Sequence, residues 1–596
     1  MDRDLESIQQ VRRLLESAAS AAKVLATFSQ QQTDAIVAAM ARAAERSAEP
    51  LARLAVEETT YGVVADKVKK NLFGARDVYD AIKPLKTAGI IREDAENGIV
   101  EIAAPAGVVA AIIPCTNPTS TAIFKALIAL KGRNPIVMSP HPSAVKCIAE
   151  SCRVMDEAAR QAGAPEGSIG CLTLVTSQAT EELMRHPKTA IILATGGASL
   201  VRAAYSSGKP ALGVGPGNVP AYIHSSANVA KAVADILFGK CFDNGTICSS
   251  EQHMVVDQAI VDQVRAETER QGGFFLTPEQ GRAVARVLIL PNSRVNPKMV
   301  GQSAEVIARA AGFSIPSGKR ALIAPLEGIG REYPLSAEKL SPVLSLRAVT
   351  DWREGLAVCR ELLEFGGMGH TVALHLQDDE VARTMALELP AFRLVVNTPA
   401  PHGSIGYSTK LFPSMSLGCG TPGGNITSDN LSPFHLINTK RLAWERRSIT
   451  GINRPAAVVG RALPFAPSTQ ATASFSPPAE AVLPSGKTQG GAEPSQEQIA
   501  QVVERFLSAR RTPASTHYSA SCSAPGASAG EDSTPFAAKL PPAESSGPSP
   551  RPMDFVCEED VRRALQQGQK IHITSRTIVT PAARDLAEGR EVFVFA

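Results

Sequence analysis

Long apolar runs are missing from this chain. Its 596 residues contain no apolar stretch near the roughly 18 residues that a membrane-spanning helix needs. A secretory signal peptide is missing as well, because the first residues, MDRDLESIQQ, are charged from the second position and hold no apolar core. We therefore expect a cytoplasmic protein that has no membrane partner.

An excess of one charge is also absent. The 61 basic and 58 acidic residues leave a formal net charge of only +3. Such a balance gives no general attraction to nucleic acid or to an anionic membrane surface. We expect neither as a partner.

The ten cysteines include no Cys-x-x-Cys pair. Zinc sites and the disulfide frameworks of secreted proteins depend on regular cysteine spacing, so we expect neither, and no metal site. In a reducing compartment most cysteines behave as small buried apolar residues. A cysteine in unusual local surroundings would be the exception.

Apolar segments and helical patterns alternate up to about residue 455. The segment IVEIAAPAGVVAAIIP (99–114) predicts two strands around a Pro-Ala-Gly turn, and ALIALKGRN and PIVMSP then predict a helix and a short buried strand. This alternation predicts an α/β protein with parallel sheets and right-handed crossovers. Further apolar strands are predicted at 190–197, 220–223, 253–257, 371–376 and 393–397.

The composition changes after about residue 456. Residues 464–552 hold 14 of the 42 prolines, with abundant Ser, Ala and Gly and few large aliphatic residues. Such a stretch cannot bury enough surface to offset the entropy of ordering it, so we predict a disordered linker over 456–553. Residues 554–596 are predicted to form a small helix–strand–helix–strand module.

One segment of the linker, PSQEQIAQVVERFLSARR (494–511), predicts an amphipathic helix. Ser495 and Gln498 have the spacing of a capping box at its start. One face is apolar and comprises Ile499, Val502, Val503, Phe506 and Leu507. A helix between flexible linkers has no core of its own to cover, so this face docks either on the rest of its own chain or on a different protein.

The cysteine with unusual surroundings is Cys248, in FDNGTICSSEQ (242–252). It follows a glycine-containing turn and has small polar neighbours, which suit an exposed thiol better than a packed one. A thiolate is the nucleophile in covalent catalysis on carbonyl groups. We therefore predict that Cys248 is a catalytic nucleophile.

The loop around Cys248 resembles the nucleophile loop of the CoA-acylating aldehyde dehydrogenases, notably the aldehyde dehydrogenase half of the bifunctional aldehyde–alcohol dehydrogenases. The resemblance runs in order from about residue 5 to 455. The other segments that carry it are EETTYGVVADKVKKN (57–71), PCTNPTSTAIFKALIALKGRNPIVMSPHP (114–142), ATGGASLVRAAYSSGKPALGVGPGNVPAYI (194–223), EKLSPVL (338–344), GGMGHT (366–371), NTPAPHGSIG (397–406) and LGCGTPGGN (417–425).

This resemblance implies an aldehyde dehydrogenase fold with its active site between two α/β domains. A Rossmann-like NAD-binding domain is expected over 1–225 and a catalytic domain over 226–410. A return segment over 411–455 serves oligomerisation. Strands near 97–104 and 415–450 are expected to bridge to a partner subunit, which implies a homo-oligomer, either a dimer or a tetramer.

The resemblance also implies a reaction. A short-chain aldehyde (propionaldehyde or acetaldehyde), NAD and coenzyme A would give acyl-CoA and NADH through a thioester on Cys248. The oxyanion formed on the way needs fixed hydrogen-bond donors. In the loop Pro114-Cys115-Thr116-Asn117 we select Asn117 as the side-chain donor, beside the Cys248 amide. A gapless match puts Thr116 at the family's Asn position, and Asn117 is also a common turn residue before proline.

The same resemblance implies an NAD site. Thr195-Gly196-Gly197 ends a strand and opens a helix, whose free amide groups suit a pyrophosphate. Glu338 matches the carboxylate that binds the nicotinamide ribose, with a solvated loop carboxylate as the alternative. The Lys and Glu that most relatives carry for the adenosine ribose are missing, so the preference for NAD or NADP stays open. The expected cofactor contacts are Thr116, Ser139, Pro140, His141, Thr195, Gly196, Gly197, Gly213 and Glu338.

Gly213 carries a further implication. Hydrolytic relatives place a glutamate at this position in the segment ALGVGPGNVP (211–220), as the base that activates water. Without that carboxylate, water attack on the thioester should be slow, and the thiol of coenzyme A would complete the reaction. His370 is a candidate base for that thiol, with a structural histidine as the alternative. A hydrolytic enzyme and a non-enzymatic microcompartment scaffold are the rival functions.

The tail resembles that of aldehyde dehydrogenases packaged inside bacterial microcompartments. There, a short amphipathic helix on a Pro/Gly/Ser-rich linker acts as an encapsulation peptide. This implies that 494–511 binds shell or core proteins, and that the chain works in the bacterial cytoplasm within a microcompartment. The module at 554–596 also looks like one found on microcompartment-associated proteins.

Truncation after about residue 456 separates the two roles. The shortened chain should keep its turnover, because every predicted site residue precedes the cut, and it should lose packaging. Enzyme assays on the purified protein and its co-sedimentation with shell proteins measure the two properties. Loss of turnover in a folded truncated chain would contradict this division.

Overall fold

The computed structural model describes residues 3–291, 294–449 and 553–580, together with 583, 586, 587 and 592–595. The chain divides into two compact units, Met1–Leu463 and Pro464–Ala596. The predicted amphipathic helix at 494–511 lies outside the described residues.

Helices make up much of the first unit. They are Arg3–Leu25 (α1), Gln30–Arg46 (α2), Ala48–Thr59 (α3), Val64–Leu72 (α4), Val78–Ile82 (α5), Pro118–Lys131 (α6), Val145–Gln161 (α7), Ser177–Arg185 (α8), Ala198–Tyr205 (α9), Val229–Cys241 (α10), Val261–Arg270 (α11), Pro278–Leu288 (α12), Ala304–Ala310 (α13), Trp352–Gly366 (α14), Asp379–Glu388 (α15) and Ala400–Ser404 (α16).

The strands of this unit form three sheets. They are Gly89–Asp94 (β1), Ile99–Pro105 (β2), Val108–Ile113 (β3), Ile136–Pro140 (β4), Ile169–Cys171 (β5), Thr189–Thr195 (β6), Ala211–Val214 (β7), Val219–Ile223 (β8), Glu251–Asp257 (β9), Gly273–Phe275 (β10), Ala321–Pro325 (β11), Val343–Val349 (β12), Gly369–His375 (β13), Ala391–Val396 (β14) and Ile437–Ala443 (β15).

Local sequence signals explain where several helices begin. The Ser29 hydroxyl accepts a hydrogen bond from the Gln32 amide at 3.2 Å, and the Gln32 side chain accepts one from the Ser29 amide at 2.9 Å. This capping box satisfies two amide groups at the start of α2. Helix α6 begins at Pro118, which has no amide hydrogen to leave unpaired, and all 14 of its residues are buried.

The first parallel sheet has the order β5-β4-β3-β6-β7. Its central strand β3 is buried on both faces, since Val109, Ala111 and Ile113 pack into one apolar cluster and the residues between them into another. Helices therefore cover both sides, as parallel sheets require. The order reverses between β3 and β6, and ligands of such sheets bind at the carboxyl ends of the strands near this point.

The second parallel sheet has the order β10-β11-β12-β9-β8-β13-β14. Strand β8 pairs with β9 and β13, although the sequence placed it in the first domain at 1–225. The change from one sheet to the other therefore lies between β7 and β8, at 215–218, rather than at residue 225. The predicted strand at 220–223 is a short apolar run, and such a run does not indicate which sheet it joins. The sequence analysis therefore assigned β8 to the first domain.

The third sheet is antiparallel and has the order β1-β2-β15. It joins the segments near 97–104 and 415–450 that were predicted to bridge to a partner subunit. Much of it is exposed, including the apolar residues Ile90, Leu442 and the neighbouring Trp444.

The second unit contains a small parallel sheet of Met553–Val556 (β16), Ile571–Val579 (β17) and Phe593–Phe595 (β18), with the helix Glu558–Gln567 (α17). A strand thus precedes the helix, and the predicted helix–strand–helix–strand order is wrong in its first element. Four residues beside a charged helix start give too short a pattern for a strand to be recognised. Among the residues that the structure describes, we find no helix with the length and apolarity to cross a bilayer.

Because helix α6 is buried, we predict that shortening one of its core side chains strongly destabilises the fold. Phe124 is fully buried, and Phe124→Ala should lower the free energy of unfolding by about 3–5 kcal/mol through lost transfer energy and the cavity left behind. Leu387→Ala is the control, because that side chain is 88% exposed and should change little. Shifts of the urea unfolding midpoint measure both, and equal shifts would contradict the packing of α6.

Candidate active site

A cavity of about 800 Å³ opens at the carboxyl ends of β3, β4 and β6. The ends of β3 and β6, where the strand order reverses, form part of its wall. The loop that carries Cys248 forms another part. Most predicted site residues line it: Thr116, Asn117, Ser139, Pro140, His141, Thr195, Gly196, Gly197, Cys248 and Glu338. The cavity's lining does not include Gly213 or His370.

Cys248 lies in the loop between α10 and β9 and is partly buried. Burial, together with the nearby Glu338 carboxyl, raises the pKa of its thiol to about 12, and Arg393 opposes the shift. In the resting enzyme the group is therefore a thiol, and its proton must leave when sulfur attacks a carbonyl carbon.

Asn117 precedes α6 as its N-cap residue. Its Oδ1 accepts a hydrogen bond of 2.6 Å from the Lys70 ammonium. Its Nδ2 donates to the Thr246 carbonyl and to the Thr116 hydroxyl, each at 3.2 Å. The donor end of this amide thus faces the Cys248 loop. Its two hydrogen bonds are long, so Nδ2 can leave them when a stronger acceptor is present.

Two lysines that the sequence analysis did not single out hold this region. Lys67 and Lys70 of α4 both donate to Oδ2 of Asp243, with a distance of 3.0 Å for Lys67. Lys67 also donates to the Thr116 carbonyl at 3.1 Å. Thr246 donates its hydroxyl proton to the same Asp243 oxygen at 2.7 Å. Helix α4, the Asn117 loop and the Cys248 loop are therefore tied to one carboxylate.

Gly62 makes room for this carboxylate. The residue has a φ of +79°, and a Cβ atom there would lie only 1.9 Å from Oδ1 of Asp243. The Val63 amide next to it donates to that oxygen at 2.7 Å. A glycine is needed for both the backbone conformation and the close approach.

The far end of the cavity suits a dinucleotide. Gly197 is the N-cap residue of α9 and has open space where a side chain would project, while the buried Thr195 hydroxyl has no hydrogen-bond partner among the described residues. The Ser139 hydroxyl shares a hydrogen bond of 2.9 Å with Thr180. Burial raises the pKa of Glu338 to about 7, although the Gly217 amide and two lysines oppose the shift. These groups fit the phosphate and ribose contacts expected for NAD.

Gly213 faces away from this cavity. A Cβ atom at Gly213 would lie 2.5 Å from Val201 and 3.0 Å from Tyr205 of α9. Its amide donates to the Tyr205 hydroxyl at 3.1 Å. The expected contact between Gly213 and the cofactor is therefore replaced by packing on α9, where a glutamate would not fit without rearrangement.

His370 is fully buried at the start of β13, outside the cavity wall. Its Nδ1 shares a hydrogen bond of 3.0 Å with the Thr371 hydroxyl, and its Nε2 has no partner among the described residues. A Cβ atom on Gly217 would lie 2.1 Å from the Cys248 carbonyl and 3.2 Å from the His370 ring, so both groups border the space that a side chain at Gly217 would fill. Burial, with Arg393, lowers the pKa of His370 to about 3. The imidazole is neutral, and its role as a base stays a prediction.

Arg393 and Cys419 also influence the nucleophile and were not predicted. Arg393 donates to the carbonyls of Gly369 and Gly418 at 3.1 and 2.6 Å. Its charge lowers the pKa of Cys248, whereas Cys419 raises it. The segment LGCGTPGGN (417–425), which carries part of the family resemblance, was the available sequence signal for Cys419, whereas Arg393 begins a predicted apolar strand that gives no such signal. Within the described ranges, no cluster of His, Cys, Asp and Glu has the arrangement of a metal site.

Comparisons with known proteins agree on one family. A profile described as "Aldehyde dehydrogenase family" matches residues 4–271. The bifunctional aldehyde-alcohol dehydrogenase of Escherichia coli is 42% identical over 467 residues, which cover 77% of this chain and 52% of that protein. The chain thus spans about half the length of this bifunctional relative.

Two solved structures match along nearly their whole length. An acetylating aldehyde dehydrogenase from Geobacillus thermoglucosidasius is 54% identical with a TM-score of 0.74, covering 75% of this chain and 99% of that one. A propionaldehyde dehydrogenase from the fucose utilisation bacterial microcompartment of Clostridium phytofermentans is 28% identical with a TM-score of 0.65, covering 73% and 97%.

Because the Glu338 carboxyl raises the pKa of Cys248, we predict that replacing Glu338 changes the rate of Cys248 alkylation in a pH-dependent way. Glu338→Gln removes a negative charge that raises the pKa of the thiol, so alkylation of Cys248 by a small maleimide should be several-fold faster at pH 8.5. Near pH 6 the wild-type carboxyl is mostly protonated, because its pKa is about 7, and the two rates should converge. Glu327→Gln is the control on an exposed carboxylate. A slower reaction at pH 8.5 would overturn this assignment.

Proposed function

This chain belongs to the aldehyde dehydrogenase family, and we propose that it oxidises a short-chain aldehyde and transfers the acyl group to coenzyme A. The observation that carries the proposal is the position of Cys248 on a cavity wall, with the donor amide of Asn117 on the same wall. The name of the Geobacillus relative, an acetylating aldehyde dehydrogenase, supports it.

The first step joins Cys248 to the substrate. Its sulfur attacks the aldehyde carbon, the thiol proton passes to solvent in the open cavity, and the carbonyl oxygen becomes an oxyanion. The Asn117 Nδ2 and the Cys248 amide are suited to hold that oxygen, since fixed donors stabilise charge only where it develops. The long bonds from Nδ2 to Thr246 and Thr116 can be given up for this stronger acceptor.

The second step removes hydride from the tetrahedral carbon and leaves a thioester on Cys248. NAD, when bound, supplies the hydride acceptor. Thr195, Gly196 and Gly197 would hold its phosphates, Ser139 to His141 would meet the adenosine, and Glu338 would bind the nicotinamide ribose.

The third step releases the acyl group. The thiol of coenzyme A attacks the thioester carbon, the Cys248 thiolate leaves and takes up a proton, and acyl-CoA departs. Water would need a base to compete, and residue 213, where hydrolytic relatives carry that carboxylate, is a glycine that packs on α9. His370 stays our candidate for accepting the coenzyme A proton, either through movement of the Gly217 loop or through bound water.

We further propose propionaldehyde or acetaldehyde as the substrate and a microcompartment of the bacterial cytoplasm as the location. The name of the Clostridium phytofermentans relative supports both the first aldehyde and the setting. The tail segment 494–511, as an encapsulation peptide, would bind shell or core proteins. The exposed apolar residues Ile90, Leu442 and Trp444 support self-association through the third sheet into a dimer or tetramer.

The decisive experiment measures NADH formation from each aldehyde, with and without coenzyme A. We expect multiple turnovers only when coenzyme A is present, and none with Cys248→Ala. Cys147→Ala is a matched control, because that cysteine is buried in α7 and makes no contact with the cavity. Sustained turnover to free acid without coenzyme A would establish the hydrolytic alternative, and an inactive wild-type chain would favour the scaffold.

A further inference from the structure

The two lysines bound to Asp243 differ in their other contacts. Lys67 and Lys70 are three residues apart on α4 and therefore share one face. Their side chains are only 2% and 4% exposed, and the Asp243 side chain is fully buried. Lys67 reaches the backbone carbonyl of Thr116, whereas Lys70 reaches the side chains of Asn117 and Thr246.

Only one orientation of the Asn117 side-chain amide is compatible with its contact to Lys70. An ammonium group donates three hydrogen bonds and accepts none, so the amide atom that faces Lys70 must be oxygen. The opposite atom, Nδ2, then faces the Thr246 carbonyl at 3.2 Å. Turning the amide over would place its NH2 group against the ammonium and its oxygen against the Thr246 carbonyl, and both contacts would be repulsive.

We propose that Lys70 is a positioning residue that fixes the Asn117 amide with its donor end toward the oxyanion of the Cys248 adduct. The inference rests on the proposed function, in which Asn117 is an oxyanion donor. Lys70 does not line the cavity, and its hydrogen bonds go to Asn117, Asp243 and Thr246, so it acts on the oxyanion through Asn117. Asp243 holds the ammonium in place, and the Thr246 hydroxyl at 3.1 Å completes its set of acceptors.

Lys67 provides a matched control for this assignment. Lys67 is bound to the same carboxylate, its side chain is as buried as that of Lys70, and a change to Met removes its ammonium group in the same way. It makes no hydrogen bond to the Asn117 side chain. A general weakening of the cluster would therefore appear in Lys67→Met and Lys70→Met alike. A specific effect on amide orientation would appear only in Lys70→Met.

The test is a double-mutant cycle on Lys70→Met and Asn117→Ala. The readout is the single-turnover rate of NADH formation without coenzyme A, which ends at the thioester. Loss of one oxyanion donor costs about 10²–10³-fold, so Asn117→Ala should fall in that range and Lys70→Met about 10- to 100-fold. The double variant should be within about threefold of Asn117→Ala, because Lys70 has nothing left to orient. Lys67→Met should instead multiply with Asn117→Ala.

Each outcome identifies what fails. If the effects of Lys70→Met and Asn117→Ala multiply, Lys70 does not act through Asn117 and the inference is overturned. An active wild type with an unimpaired Asn117→Ala variant would overturn it too, whereas a wild type that gives no single turnover would refute the proposed function itself. Thermal unfolding monitors folding, and Lys70→Gln, whose side chain is shorter and carries no charge, replaces Lys70→Met in the same cycle if that variant does not fold.

Discussion

The Asp243 carboxylate is the point on which the geometry of the candidate active site depends. Burial alone would raise the pKa of this group, but the Lys70 and Lys67 ammonium groups hold it below the usual value. A buried charge is tolerable only when it is paired and hydrogen bonded, and removal of one partner from such a pair is strongly destabilising. Here the pairing joins three pieces of chain: α4, the loop before α6 and the nucleophile loop.

The electrostatics of the site follow from the same burial. Burial lowers the pKa of Lys70 to about 8, against the attraction of Asp243, and raises those of Cys248 and Glu338. Each group is thus less readily charged than in water, so small changes of neighbouring charge have large effects on ionisation. The thiol is inert at rest and becomes a nucleophile when its proton is removed, which protects a cysteine that faces an open cavity.

The sequence predicted the features that are written in contiguous residues. The strand before Thr195-Gly196-Gly197, the parallel sheets and the gathering of Cys248, Asn117 and Glu338 on one cavity all agree with the structure. These features follow from local alternation of strand and helix or from motifs a few residues long.

The features that the sequence did not reveal depend on long-range contacts. Lys67 and Lys70 are more than 170 residues from Asp243, and lysines at helical spacing normally indicate a solvated surface. The direction in which Gly213 faces depends on the packing of α9, and the sheet that β8 joins depends on pairing with two distant strands. Neither the direction of Gly213 nor the sheet of β8 can be inferred from the residues of its own segment.

Because Gly62, Lys67, Lys70 and Asp243 occupy one small volume, they form a single evolutionary and engineering unit. A side chain at 62 collides with the carboxylate, and a neutral residue at 243 leaves two cations buried together. Among homologous sequences these four positions should therefore change together or remain as they are. A nucleophile loop moved into another member of the family would need helix α4 to travel with it.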